Sequence, residues 1–173
     1  GVYRLSHHYS ALDECEEVER AIGTAAHFLE AMRAAGVVPF LRQIARAEAN
    51  GQRCLLVEDG GYLAPILHDG LLRDLSVKQF ASELGHEADD DRSLQEVVGS
   101  RLLGTVEHTR NGFDRMVDVQ EQHGRLSLPA YSIAISRLKR EVESREVAAS
   151  VLNAIEAVLN ADGRVLARRS CLV

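Results

Sequence analysis

No Cys-x-x-Cys pair occurs in the sequence. Its three cysteines, Cys15, Cys54 and Cys171, are odd in number and far apart. A zinc knuckle or a dithiol redox site therefore has no support, and free thiols in a reducing compartment are expected. No apolar run approaches the length of a membrane span, and no secretory hydrophobic segment opens the chain, so a soluble, cytoplasmic protein is expected. Lysine is scarce: Lys78 and Lys139 are the only two, and arginine supplies the rest of the positive charge. A formal charge of −6 without any basic cluster argues against nucleic acid as the main partner, because phosphate binders carry a basic surface. There is no Gly-x-Gly-x-x-Gly or Gly-x-x-x-x-Gly-Lys run, hence no complete dinucleotide or nucleoside-triphosphate cradle. Internal repeats and low-complexity linkers are also lacking.

What remains is the composition of an ordinary globular domain, 46% hydrophobic and 27% charged over 173 residues, which is enough chain for one core. Leu12, Cys15, Val18, Ile22, Ala25, Leu29 and Met32 recur at helical spacing and predict a helix over 10–33, with Ser10 and Asp13 near its start. Gly36 ends it, Pro39 opens a second helix, and Asn50-Gly51 stops that one. The run at 53–57, RCLLV, reads as a covered parallel strand. Further helices are expected over 76–84, 112–122 and 137–160, the last with a break near Ser144 and a buried stripe of Val147, Val151, Ile155 and Val158 or Leu159. Further strands are expected over 101–106 and 128–135, with Pro129 confining the latter to a strand start or an edge. The alternation of helices with strands predicts an α/β domain with a mainly parallel sheet flanked by helices, a Rossmann-like three-layer arrangement.

Polar runs follow three of these strands: Glu58-Asp59-Gly60-Gly61, then Glu107-His108-Thr109 through Gly112, then Ser136 to Lys139. In open parallel sheets, ligands bind beyond the carboxyl ends of strands, so the three runs converge if their strands pair in parallel. Each has two readings. The first is a tight turn whose acids cap the next helix, or a carboxylate that accepts hydrogen bonds from a ligand approaching over the glycines. The second is a helix cap or a ligand contact. In the third, Lys139 is either a surface lysine paired with Glu143 or a site lysine. His7, His8, His27, His68, His86 and His123 show no metal-ligand spacing, and no metal site is expected; the acidic run Asp89–Asp91 reads as a solvated turn.

In order, LLVEDGGYL, GTVEHTRNG, LPAYSIAISRLKREVE and NADGRVLARRSCLV resemble the substrate-domain half of the S-adenosyl-L-homocysteine hydrolase family, over roughly residues 36–173. The resemblance implies a nucleoside thioether as ligand, with Asp59, Glu107 (or His108 if the run is shifted by one), Lys139 and Glu143 in the catalytic positions. Glu58, Gly60, Thr109 and Ser136 fall in the substrate-binding ones. It implies NAD as cofactor, held by a further domain: residues 1–168 correspond to the substrate-binding domain and 169–173 to the start of a Rossmann NAD-binding domain. In such enzymes NAD oxidises the ribose 3′-hydroxyl, a proton leaves C4′ and the thiol is eliminated before water adds. A lysine beside a carboxylate suits the proton transfer. A homo-oligomer is also expected. The chain departs from the family at Ser132 and Ile135, where asparagine and aspartate normally stand, and in lacking the family's histidine segment. A noncatalytic nucleoside-sensing or protein-interaction domain on the same scaffold is therefore the alternative.

Overall fold

The structure is a computed structural model and describes residues 28–167. The expected start of the first helix, His7 and His8, Cys15, Cys171 and the expected start of an NAD-binding domain at 169–173 lie outside them. The chain divides into two compact units, one reaching to Ser132 and the other beginning at Ile133.

The first unit opens with α1, Phe28–Ala49, a single helix of 22 residues with Pro39 inside it. The sequence pattern predicted a stop at Gly36 and a new start at Pro39, and the structure corrects this. Proline in a helix interior removes a hydrogen bond and costs about 3 kcal/mol. Burial on both sides of Pro39 opposes that cost: Val37 and Ile44 are both fully buried in one apolar cluster with Leu63 and Leu67. Gly36 acts as a notch rather than a stop, since a Cβ there would lie 3.2 Å from Leu63 Cδ1.

Strand β1, Cys54–Glu58, leads through the Asp59–Leu63 turn to α2, Ala64–Leu72. Helix α3, Val77–Glu83, starts with a reciprocal capping box between Ser76 and Gln79. A π-helical turn, Gln95–Gly99, precedes β2, Leu102–Glu107. Next come α4, Arg110–His123, and β3, Ala130–Ser132. Thr109 caps the start of α4, and Gly124 ends it in the left-handed conformation.

These elements form a small α/β domain with a parallel three-stranded sheet flanked by helices, consistent with a Rossmann-like three-layer arrangement. The strand order is β1-β2-β3, and both pairings are parallel. One extra residue in β2 sits opposite β1, near Gly104. A Cβ on Gly104 would approach Pro129 O to 2.5 Å, so glycine lets β3 come alongside. Beyond the irregularity the register aligns Glu58 with Glu107 and Glu107 with Ser132, so these strands end level with one another. The core packs Leu63, Leu67 and Leu71 with Val77, Phe80, Leu94, Val98 and Leu102. Leu55, Val57 and Tyr131 point from the strands away from that core and are exposed.

The second unit contains a π-helical turn, Lys139–Glu143, that passes directly into α5, Ser144–Ala161. The predicted break near Ser144 is therefore a change of helical winding. The predicted burial of its apolar stripe is overturned: Val147, Val151, Ile155 and Val158 are all exposed, Leu159 is half-buried, and α5 has no buried residue. Among the described residues no helix is long and apolar enough to cross a membrane.

Candidate functional site

Parallel pairing brings the first two polar runs together at the carboxyl ends of β1 and β2. The His108 N–H donates to the Glu58 carbonyl at 3.0 Å, continuing the ladder past the strand ends. The Gly60 N–H donates to Glu107 Oε1 at 3.0 Å. The same Oε1 accepts from the Thr109 N–H at 2.6 Å and the Thr109 hydroxyl at 2.7 Å. Thr109 Oγ1 in turn accepts from the Gly112 N–H at 3.1 Å. Glu107 thus ties the turn after β1 to the first turn of α4. It is 3% exposed, and its other oxygen, Oε2, is buried with no hydrogen-bond partner among the described residues.

Glu58 has a different task. Its two oxygens accept from the Leu63 N–H at 2.6 Å and the Ala64 N–H at 2.8 Å, so it caps α2 from five residues upstream. Carboxylates are favoured at helix N-termini. Burial nevertheless raises the Glu58 pKa, the backbone N–H bonds oppose that, and the nearby Glu107 charge adds to the rise. Asp59, between these structural groups, points outward: its side chain is 74% exposed and lies 3.6 Å from His108 Nδ1. Asp59 and His108 are thus the accessible pair at this strand end.

The glycines make the arrangement possible. Gly60 and Gly61 have φ of 129° and 63°, conformations that side-chain-bearing residues rarely adopt. A Cβ on Gly112 would fall 2.0 Å from Glu107 Cδ.

Ser136, Lys139 and Glu143 form a cluster within the second unit. The Lys139 N–H donates to Ser136 Oγ at 3.2 Å, and Lys139 Nζ lies 3.2 Å from Glu143 Oε1.

Among the described residues, no group of three or more His, Cys, Asp or Glu is placed to hold a metal ion. In the acidic run, Asp90 binds the Arg92 side chain and its backbone N–H. Nor do the described residues suit NAD. A dinucleotide needs free amides at a glycine turn and helix N-terminus for its pyrophosphate. Here the Gly60, Leu63 and Ala64 amides are already engaged by two carboxylates, which would repel a pyrophosphate.

One group that spacing did not single out is His68, on α2 and fully buried. Its Nδ1 accepts from the Ser127 N–H at 3.2 Å, which puts the proton on Nε2, 3.3 Å from Thr105 Oγ1. Burial lowers its pKa to about 4. His68 thereby fastens α2 to β2 and to the loop before β3 as a neutral imidazole. A signal was present: His68 shares helical spacing with Ala64, Leu67 and Leu71, so it occupies a core position. Also missed were Arg33 and Arg115, which hold the carbonyls of the glycine turn: Arg33 Nε donates to Tyr62 O at 3.3 Å, and Arg115 Nη1 donates to Gly60 O.

Comparison with family models, with curated proteins and with solved structures finds no match to this chain.

Proposed function

We propose that this domain binds a nucleoside thioether of the S-adenosylhomocysteine type at the carboxyl ends of β1 and β2, as a cytoplasmic relative of the S-adenosylhomocysteine hydrolases. The observation that supports this reading is the meeting of the Glu58–Gly61 and Glu107–Gly112 runs across paired parallel strands, with Asp59 and His108 left accessible between buried carboxylates. A glycine turn braced from beneath offers a ligand close approach to backbone, and an outward carboxylate accepts hydrogen bonds from ribose hydroxyls. Glu107 is the proton-handling group in this reading, through an Oε2 that no described residue engages. Within the second unit, Lys139 and Glu143 form the lysine–carboxylate pair that the family resemblance assigns to proton transfer. NAD is the cofactor in this reading, as the family resemblance implies, and the working protein is a homo-oligomer.

One observation favours the noncatalytic alternative. Glu58 and Glu107 Oε1 are both occupied by backbone N–H groups, as in a purely structural turn. Calorimetric titration of the chain with adenosine and with S-adenosylhomocysteine tests the reading. Saturable binding that weakens at least tenfold in Asp59→Asn is expected. Absence of binding by either ligand would sink it, and binding without turnover in protein carrying NAD would select the sensing role.

A further inference from the structure

A second feature lies on the other side of the glycine turn, where an open groove of about 400 Å3 is lined by Arg33, Arg115, Arg73, Asp69 and Asp118. The arginine ion pairs among the described residues belong to Arg73, Arg92, Arg110, Arg137 and Arg164. Arg33 and Arg115 are not among them, although both are half-buried. Their hydrogen bonds go to backbone carbonyls: Arg33 through Nε only, and Arg115 through Nη1 only. Among the described residues, nothing accepts from the Nη groups of Arg33 or from Nη2 and Nε of Arg115. The Tyr62 ring, 5.9 Å from the Arg115 guanidinium carbon, supports one side of the pair. Each cation feels the other, and the Arg33 pKa is lowered by burial first and by Arg115 second. Glu30 and Glu58 oppose that lowering through space, but among the described residues no carboxylate is in ion-pair contact with either guanidinium, so two half-buried cations that depress one another gain from an anion that joins them.

We infer that Arg33 and Arg115 form a binding site for the carboxylate of a small-molecule ligand. Guanidinium N–H groups in a planar fork match the two oxygens of a carboxylate. The groove's own acids choose the anion's charge. Asp69 is paired with Arg73, which also binds Glu83, and lies 2.8 Å from His123 Nε2, while Asp118 faces the same space and opposes a dianion more than a monoanion. A carboxylate thus suits the groove better than a phosphate. Asp59 and Glu107 do not line this groove, and its test does not depend on nucleoside binding.

The test is titration of arginine-labelled protein with sodium acetate at constant ionic strength, following the side-chain N–H resonances by NMR, with sodium phosphate and sodium chloride as parallel arms. Acetate should shift the Arg33 and Arg115 signals saturably, and Arg33→Lys should weaken that binding at least fivefold while keeping the charge. Arg33→Met should abolish saturation of the Arg115 shift. Were that variant not to fold, the wild-type and Arg33→Lys titrations still decide. Shifts under acetate no different from those under chloride would overturn the site. Saturation by phosphate at lower concentration than by acetate would overturn its assignment to a carboxylate.

Discussion

A methyl group on Gly61 would lie 2.5 Å from the Cα of Gly112. The turn after β1 and the first turn of α4 therefore touch backbone to backbone, and the Glu107 carboxylate is enclosed beside that contact. Gly61→Ala combines this clash with a left-handed φ of 63°, and Gly112→Ala drives a methyl into the Glu107 carboxyl group. Overpacking of this kind costs about 1–3 kcal/mol, with about 1 more for the backbone strain at Gly61. Urea denaturation should show both variants destabilised, Gly61→Ala by more than Gly124→Ala. Gly124 has a similar positive φ of 70° but open space around its Cα, so it reports the strain alone. Equal losses at the two positions would contradict the close contact.

Glu58 separates hydrogen bonding from charge. Glu58→Ala leaves the Leu63 and Ala64 amides without their acceptors, and a buried unsatisfied donor costs about 1–3 kcal/mol. Glu58→Gln keeps one acceptor oxygen and removes the buried charge. The folded-state pKa of Glu58 is raised above its ordinary value. The folded protein therefore holds this proton more tightly than the unfolded chain, and the residue's contribution to stability grows as pH falls through the folded-state pKa. Chemical denaturation between pH 7 and pH 4 should find Glu58→Gln more stable than Glu58→Ala throughout. It should also find the stability of Glu58→Gln, relative to wild type, lower at pH 4 than at pH 7. A relative stability that does not change with pH would remove burial as the source of the shift.

His68 acts in the opposite sense. Its folded-state pKa falls from 6.5 to about 4, so below pH 6.5 the unfolded chain takes up a proton that the folded one refuses. The stability tied to the neutral ring is complete above pH 6.5 and is lost progressively as pH falls toward 4. The full difference is about 3 kcal/mol. His68→Gln should lower stability at pH 7, since the core packing and the bonds to Ser127 and Thr105 are disturbed, yet flatten the decline between pH 6.5 and 4. Parallel declines in the two proteins would show that His68 is not the group responsible.

Local pattern carried much of the fold. An apolar run ending in acids gives a strand one residue from the expected position at Cys54–Glu58, and Leu102–Glu107 was equally legible, because strand length and turn residues are written in neighbouring positions. Ser76 with Gln79 and Thr109 with Gly112 are short-range caps of the same kind. Pro39 misled because the burial of Val37 and Ile44 that outweighs its helix penalty involves Leu63 and Leu67, more than twenty residues downstream. The stripe of α5 misled for the converse reason: periodicity shows that a helix has an apolar face but not what that face meets.

By itself, the sequence determined the order of helices and strands and the placing of acid-and-glycine runs at strand ends, since these follow from propensity, periodicity and turn chemistry within a few residues. Only the tertiary structure decided which acids are buried and which are accessible. Glu58 and Asp59 are adjacent in the chain, yet strand alternation turns one onto the α2 amides and the other outward. It also decided that Arg33 and Arg115, 82 positions apart by their numbers, 115 − 33, meet around one turn. Partnership across such a separation depends on how strands pair and helices pack, and no local run of residues encodes it.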